Sequence, residues 1–319
     1  MKVPEGAHSA KQNRGMTSGT QNDDEALRAQ LIGTGMLLLG GILVGLAPIG
    51  LRFAVADGLS AQSTAFWRFF LSLPLLLAIY GFRQRLPHRP DKFALIAGVF
   101  FALDICVWHM SLTMTSVANA TFILNLGNIA VGFLAWIFLK DRPTMLWGGA
   151  VGLAVLGAWF LSVGGNPDAG GGALRGDLAA LLAALFVSFY MLCSTLARRK
   201  GSVLDVLFWA SVAEAATAAI MTLSFGETLV PPDLTALRAP VFLAIFVHLA
   251  GQGCIIYGVG KAPPAIAGLM ILAQPVTAAL ISWPLFGEIL TPVQFGGAVL
   301  IVMALALSQL RLPKRKQKT

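Results

Sequence analysis

The sequence predicts an all-α integral membrane protein in which ten transmembrane helices form two inverted five-helix repeats around a central cavity. The composition, the distribution of positive charge and an internal repeat all indicate this fold. Hydrophobic residues make up 56% of the 319-residue chain, and charged residues make up only 12%. Because soluble domains carry about twice that share of charged residues, the composition favours a chain that lies in lipid.

The transmembrane helices are predicted from apolar runs of about twenty residues, the length that crosses a bilayer. Mostly short connections separate ten such runs, at residues 29–50, 61–81, 93–113, 116–139, 144–163, 176–197, 203–225, 239–259, 262–286 and 291–310. The break between the third and fourth runs is the weakest. Residues 1–28 are predicted to form a polar cytoplasmic tail without regular structure, and residues 311–319 a basic cytoplasmic tail.

The Lys and Arg residues test this count, because cytoplasmic loops of membrane proteins are enriched in positive charge. With the N-terminus inside, the inner segments hold nineteen Lys and Arg residues, and the outer loops hold three. This split favours ten crossings with both termini in the cytoplasm. The net charge of +8 is then explained by topology and by contact with anionic membrane lipid, so nucleic acid is not a predicted partner.

A faint internal repeat relates the two halves of the chain. Residues 118–141 align with residues 265–288, and the dipeptide Phe66-Trp67 matches Phe208-Trp209. Five crossings per repeat is an odd number, so the two repeats must have opposite orientations, as in many secondary transporters. We therefore expect the two halves to form one transport unit.

A glycine-rich segment at residues 164–175 divides the ten runs five and five. Glycine and proline prevent regular structure there, so we expect a linker between a first repeat at 29–163 and a second repeat at 176–310. The segment lacks the Lys-Ser/Thr pair of a phosphate-binding loop, which argues against an ATP-driven pump. The three cysteines show neither metal nor disulfide spacing. No cofactor and no metal site are predicted.

Polar side chains at membrane depth are the candidates for a binding site. A charged group at the bilayer centre costs roughly 2.5–3.5 kcal/mol, so such groups usually face protein or a water-filled cavity. In the third span, Asp104 and Trp108 are four residues apart and share one helical face, with His109 beside them. The fourth span offers Asn119 and Asn125. The alternative interpretation is that these groups form interhelical hydrogen bonds that hold the bundle together.

The second half offers polar and aromatic groups of the same kind. The candidates for substrate contact there are Tyr190, Trp209, Glu214, Gln252 and Tyr257. An aromatic wall with a few polar anchors suits a small amphipathic solute. Simple packing of the aromatic side chains remains the alternative.

Two carboxyl groups are candidates for proton coupling, Glu214 and Asp104, because both fall within apolar spans. A structural pair between Glu214 and Arg68 across the bundle is the competing interpretation. Pro48 and Pro275 are candidate hinges, because proline removes an amide donor and kinks a helix.

The chain resembles the EamA-type branch of the drug/metabolite transporter superfamily. The resemblance lies in the ten spans, in the Trp-Arg-Phe-Phe run at 67–70, and in the stretch from Gln274-Pro275 to Gly287-Glu288. The first half departs from this pattern, with Asn128 in place of the proline and Lys140-Asp141 in place of Gly-Glu. The resemblance implies a ten-helix bundle that works by alternating access, with the fifth and tenth helices at the periphery.

The same resemblance implies a metabolite exporter, and the bacterial aromatic amino acid exporters are the most similar group. We therefore expect a secondary transporter, not an enzyme, that exports aromatic or other neutral amino acids across the bacterial inner membrane. Its partners would be a small-molecule substrate and membrane lipid, and the protein would be a monomer or a weak homodimer. Exporters of drug-like cations or nucleotide sugars are the alternatives. An integral-membrane enzyme that acts on a lipid carrier is a remote alternative, since the spans and the loops between them lack paired Asp motifs.

Overall fold

A computed structural model describes residues 6–112, 114, 117–140, 143–163, 174–286 and 291–309. Within these ranges the chain consists of helices and short connections, with no β-strand. The core of the predicted glycine-rich linker (164–173) and the predicted basic tail (311–319) lie outside the described residues.

The first half of the chain contains α1 (Gly6–Val44), α2 (Ala47–Ala56), α3 (Ala61–Phe82), α4 (Lys92–Leu112), α5 (Val117–Leu134), a π-helix (Ala135–Leu139) and α6 (Met145–Val163). The second half contains α7 (Leu174–Arg198), α8 (Val203–Ser224), a 3-10 turn (Thr235–Leu237), α9 (Arg238–Phe242), a π-helix (Leu243–Gln252), α10 (Gly253–Val259), α11 (Pro264–Ile271), α12 (Ala273–Phe286) and α13 (Pro292–Gln309). Each of the ten predicted runs corresponds to one of these helices or to a consecutive pair or series of them.

The helices are apolar enough to lie in a bilayer. Six helical segments of the described chain have both the length and the hydropathy to cross a membrane, and four shorter apolar helices accompany them. Many large apolar side chains on these helices face outward; Ile137 and Ile220, for example, are 58% and 64% exposed. Outward-facing apolar side chains are costly in water and favourable in lipid. The protein is therefore an all-α, multi-pass membrane protein.

The contacts between helices follow the inverted repeat. The pair α4–α7 has its counterpart in α1 against α10, and the pair α5–α7 has its counterpart in α1 against α11. The pairs α3–α8, α5–α11 and α6–α13 each join a helix to its own repeat equivalent. This is the arrangement of two five-helix units related by a pseudo-twofold axis. The helices α6 and α13 pack on each other and contribute nothing to the central cavity.

Two helices are broken at the same distance from a proline. A proline ring clashes with the carbonyl group four residues earlier and cannot donate a hydrogen bond to it. Pro48 is four residues after Val44, where α1 ends, and Pro275 is four residues after Ile271, where α11 ends. Each break also contains one tightened i→i−3 hydrogen bond, from Leu46 N to Leu43 O and from Leu272 N to Leu269 O.

The two breaks lie against each other in the bundle. A Cβ atom on Gly45 would come within 2.8 Å of the backbone oxygen of Gln274 and of the Cβ atom of Thr277. Only glycine allows the two backbones to approach this closely. The candidate hinges of the two halves therefore meet near the centre of the protein.

Two features differ from the expectations from sequence. The first helix begins at Gly6, within the stretch for which the polar composition predicted no regular structure. An apolar helix already formed can propagate into polar residues, because elongation is far easier than nucleation. The second feature is Lys140, which stands where the family pattern has glycine and adopts a left-handed conformation with φ of 61°. Glycine adopts that conformation without steric cost.

Candidate functional site

A cavity of about 150 Å³ lies between the two halves of the bundle. Its wall contains residues from α1 to α5 in the first half and from α7, the second π-helix and α10 to α12 in the second half. The apolar part of the wall includes Leu51, Ile105, Leu124, Val187, Met191 and Ile271. The cavity adjoins an extensive cluster of buried apolar side chains in the described part of the chain, which packs behind its wall.

The cavity extends from the middle of the bundle toward one end. In α3 the lining residues, Thr64, Ala65 and Arg68, are near the start of the helix, whereas in α4 they occupy the second half. Consecutive helices run in opposite directions, so these positions coincide in depth. We call the end where α3 begins the outer end and the opposite end the inner end, following the charge distribution.

The polar face predicted on α4 lines the cavity. Asp104 is buried, with 4% of its surface exposed, and its Oδ1 atom makes no hydrogen bond to any described residue. The Trp108 Nε1 and His109 Nδ1 atoms are likewise without partners in the described part of the chain. Asn125 on α5 is buried and also lines the cavity. The side chain of the other predicted asparagine, Asn119, lies outside what the structure describes.

Two of the predicted groups from the second half join this wall. The Tyr190 ring packs against Phe101 of the first half with 4.6 Å between ring centroids. The Tyr190 hydroxyl and the Gln252 Nε2 atom are buried and make no hydrogen bond to a described residue. The cavity therefore combines an aromatic wall with several polar atoms that are available to a ligand.

Three predicted site residues lie elsewhere. Trp209 is at the inner end, where its indole Nε1 donates to the His88 carbonyl oxygen at 2.8 Å. Tyr257 is half-buried near the same end, within electrostatic range of Arg198. Glu214 is buried on α8, which contributes no residue to the cavity wall. Helical spacing alone does not distinguish a side chain in a cavity from one behind its wall.

Behind the wall, Glu214 belongs to a buried polar network. Its Oε2 atom is 3.4 Å from His248 Nε2, and that ring nitrogen is 2.7 Å from the Ser211 hydroxyl oxygen. The His248 ring also packs edge-on against Phe69. Glu214 is within electrostatic range of Arg68, but the two side chains form no ion pair within 4 Å, so the direct pair considered from the sequence is absent from the described residues.

Arg68, which the sequence analysis considered as a partner of Glu214 and not as a contact for substrate, is a residue of the cavity wall. Its side chain lines the cavity and is only 5% exposed, and its guanidinium carbon is 5.7 Å from the Phe101 ring centroid. The sequence did contain a signal for this role, since a lone cationic residue in an apolar span is by default a candidate for function. The missing information was its depth relative to the polar face of α4.

Both candidate hinges also line the cavity. Pro48 and Pro275 contribute to its wall together with Gly45 and Gln274, which flank the two helix breaks. A change in either break would therefore alter the shape of the cavity directly.

Equivalent hydrogen bonds connect α3 and α8 at the two ends of the bundle. At the outer end, the Trp67 indole donates to the carbonyl oxygen of Leu229, in the connection after α8, at 2.8 Å. At the inner end, Trp209 makes the equivalent bond to the connection after α3. Ser60 and Ser202 cap the two helices through equivalent bonds to backbone amides. We call these two sets of contacts the outer latch and the inner latch.

Side chains reinforce each latch. The Ser60 hydroxyl donates to Glu227 at the outer end, at 2.5 Å. At the inner end, the Tyr80 hydroxyl donates to Asp205 at 2.6 Å, and the same carboxylate is 3.0 Å from the His88 ring. The inner latch thus contains more polar contacts than the outer latch. The repeated Phe-Trp dipeptide of the sequence marks two positions with the same structural role.

No group of three or more His, Cys, Asp or Glu side chains is placed to hold a metal ion in the part of the chain that the structure covers. The cysteine thiols of Cys106, Cys193 and Cys254 are free.

Comparison with known proteins gives consistent results. The chain is 26% identical over 272 residues to a protein of Bacillus subtilis named "Uncharacterized transporter YwfM". The aligned region covers 82% of this chain and 88% of that protein. A protein of Archaeoglobus fulgidus named "Uncharacterized transporter" is 26% identical over 215 residues, or 67% of this chain and 68% of that protein. One solved crystal structure shares the fold, with a TM-score of 0.76 at 18% identity, over 88% of this chain and 96% of the other.

The model of the EamA-like transporter family matches the chain twice, at residues 31–163 and at residues 174–310. The two matches correspond to the two five-helix halves of the structure and together span most of the chain. The protein therefore belongs to the EamA-like transporter family.

Proposed function

We propose that this protein exports small metabolites, most readily aromatic or other neutral amino acids, across the bacterial inner membrane by alternating access. The observation that carries the proposal is the cavity between the halves, in which an aromatic wall stands beside buried polar atoms that have no hydrogen-bond partner among the described residues. Such a site binds a solute with one apolar part and one polar part. Neutral amino acids have this form.

The size of the cavity supports this substrate class over the larger alternatives. A cavity of about 150 Å³ is similar to one that accommodates a benzene molecule. A nucleotide sugar is several times larger than benzene and would also require more basic groups than the single arginine of the wall. An aromatic amino acid is larger than benzene and would fit after adjustment of the surrounding side chains, and a smaller neutral amino acid would need less adjustment.

Drug-like cations are the second candidate, and the buried carboxyl group of Asp104 in the wall favours them. A cation would pair with this group and stack on the nearby aromatic rings. Arg68 in the same wall opposes a purely cationic ligand, because like charges repel in a low-dielectric site. A transport screen that includes both classes separates the two candidates.

Alternating access would come from bending at the two proline breaks and from opening of one latch at a time. The cavity lies toward the outer end, and the inner latch contains more polar contacts. These features support an arrangement in which the inner end is closed. Both termini would face the cytoplasm, as the nineteen-to-three charge split predicts.

Reconstituted proteoliposomes test the proposal. Liposomes loaded with unlabelled amino acids should take up the same labelled amino acid faster than liposomes without protein. Replacing Trp108 or Tyr190 by Ala should slow exchange, because each contributes aromatic wall and a polar atom to the cavity. Trp159→Ala is the matched control, since Trp159 is 46% exposed on α6. Wild-type exchange in both cavity variants would exclude the cavity as the binding site.

A further inference from the structure

The Arg68 guanidinium has hydrogen-bond donors that the protein does not use. Its Nε and Nη2 atoms are buried, yet neither donates a hydrogen bond to a described residue. No carboxylate of the described chain is within 4 Å of it in an ion pair. Leaving charged donors unsatisfied in a buried site is costly, so a ligand that accepts hydrogen bonds from them would bind favourably.

The charges around Arg68 are arranged on two sides. Glu214 lies behind the cavity wall, within electrostatic range of Arg68, and contacts His248 at 3.4 Å. Asp104 is on the ligand side, because it lines the same cavity as Arg68, and its Oδ1 atom is also without a partner in the described residues. The cavity wall therefore presents both a guanidinium group and a carboxyl group to a single ligand.

The remaining polar atoms of the wall extend this arrangement. The Tyr190 hydroxyl and the Gln252 Nε2 atom are further donors without described partners. Among the cavity-wall atoms without described partners, hydrogen-bond donors thus outnumber acceptors. This suits a ligand group with several acceptor positions, such as a carboxylate. A planar guanidinium matches a carboxylate through two parallel hydrogen bonds.

We propose that Arg68 binds the carboxylate of the transported solute and that Asp104 binds its ammonium group, so that the site recognises the zwitterionic head of an α-amino acid. The apolar side chain of the solute then packs against Phe101 and Trp108. This inference rests on the proposed function and adds the recognition of both charged groups. Neither charge alone suffices for tight binding, which distinguishes amino acids from amines and from carboxylic acids.

Competition in wild-type proteoliposomes tests the head-group requirement without any mutation. Exchange of labelled phenylalanine is measured in the presence of phenylalanine, phenethylamine or 3-phenylpropanoate, with each competitor at equal concentration on both sides. We expect each analogue that lacks one charge to compete about 10- to 100-fold more weakly than phenylalanine, which is the effect of losing one charged hydrogen-bonded pair. An amine or acid that competes as well as phenylalanine overturns the proposal.

Two variants then assign the charges. Arg68→Gln should weaken competition by phenylalanine and by 3-phenylpropanoate, and leave competition by phenethylamine unchanged. Asp104→Asn should weaken competition by phenylalanine and by phenethylamine, and leave 3-phenylpropanoate unchanged. A role that is merely structural would weaken all three ligands together. Arg85→Gln and Asp57→Asn make the same chemical changes at exposed positions and should change none of them.

Arg68→Lys provides a second test should the loss of charge beside Glu214 impair folding. It keeps the charge and removes the paired geometry, so phenylalanine should again compete more weakly than in the wild type. Equal competition by phenylalanine in wild type and in Arg68→Lys contradicts the assignment to Arg68. If the wild type exchanges no amino acid at all, the proposed function fails. If it exchanges amino acids but the variants do not separate the analogues, only the present inference fails.

Discussion

Replacing the prolines at the two helix breaks should make the protein more stable and its exchange of substrate slower. Pro48 and Pro275 each follow a helix end by four residues, and alanine at either position restores the missing amide donor. Proline in a helix interior costs about 3 kcal/mol relative to alanine. A helix that becomes continuous in Pro48→Ala would therefore be favoured over the broken form by about 100-fold.

The expected result is that Pro48→Ala and Pro275→Ala each lower the rate of substrate exchange by about tenfold or more. Each should also raise the midpoint of thermal unfolding in detergent. Exchange is measured in proteoliposomes with labelled amino acid, and unfolding by intrinsic tryptophan fluorescence. The combination matters, because a variant that is merely damaged would be slower and less stable.

Pro74→Ala is the matched control. Pro74 is exposed within α3, which continues through it without a break, so its replacement should leave the exchange rate unchanged. Wild-type exchange rates in both Pro48→Ala and Pro275→Ala would refute the idea that the breaks act as hinges. An equal loss in Pro74→Ala would show that proline replacement acts through some general effect.

Three further predictions concern packing, backbone strain and the latches. Gly45→Ala should destabilise the protein by about 1–3 kcal/mol through overpacking. At Gly148 an added Cβ atom would have no neighbouring atom within 4 Å, so Gly148→Ala should stabilise its helix by about 0.5–1 kcal/mol. Thermal unfolding of the two variants tests both predictions. Lys140→Gly should raise stability by about 1 kcal/mol, because Lys140 is held at a positive φ, and an unchanged midpoint would contradict this. The latches are tested by thiol labelling of a cysteine placed in the cavity wall by Ala278→Cys. Trp209→Phe should increase its labelling from the inner side, and Trp67→Phe from the outer side, since each removes one latch hydrogen bond. Identical labelling of both variants would contradict the latch roles.

The fold was largely predictable because lipid imposes simple rules. Apolar runs, loop charges and an odd number of spans per half predicted the helices and their inverted arrangement. The repeat of Phe66-Trp67 in Phe208-Trp209 predicted an equivalence that the structure shows as the two latches. The sequence could not reveal that role, because it depends on the carbonyl group that each indole meets in another part of the chain.

The candidate site was predictable in part. The helical face of Asp104 and Trp108 lines the cavity, since spacing on one helix determines which side chains share a face. Glu214, a predicted contact for substrate, lies behind the wall, whereas Arg68, which was not predicted as a contact, lies in it. Which of two buried charges faces the cavity depends on the rotation of α3 and α8 about their axes, which only the packing of neighbouring helices determines.

The most direct test of the transport function is exchange of labelled phenylalanine by the purified protein in proteoliposomes. We predict uptake that saturates with concentration, is accelerated by unlabelled phenylalanine inside, and is reduced at least tenfold in Trp108→Ala but not in Trp159→Ala. Uptake equal to that of protein-free liposomes, for phenylalanine and for every other neutral amino acid, would contradict the assignment of this cavity to amino acid export.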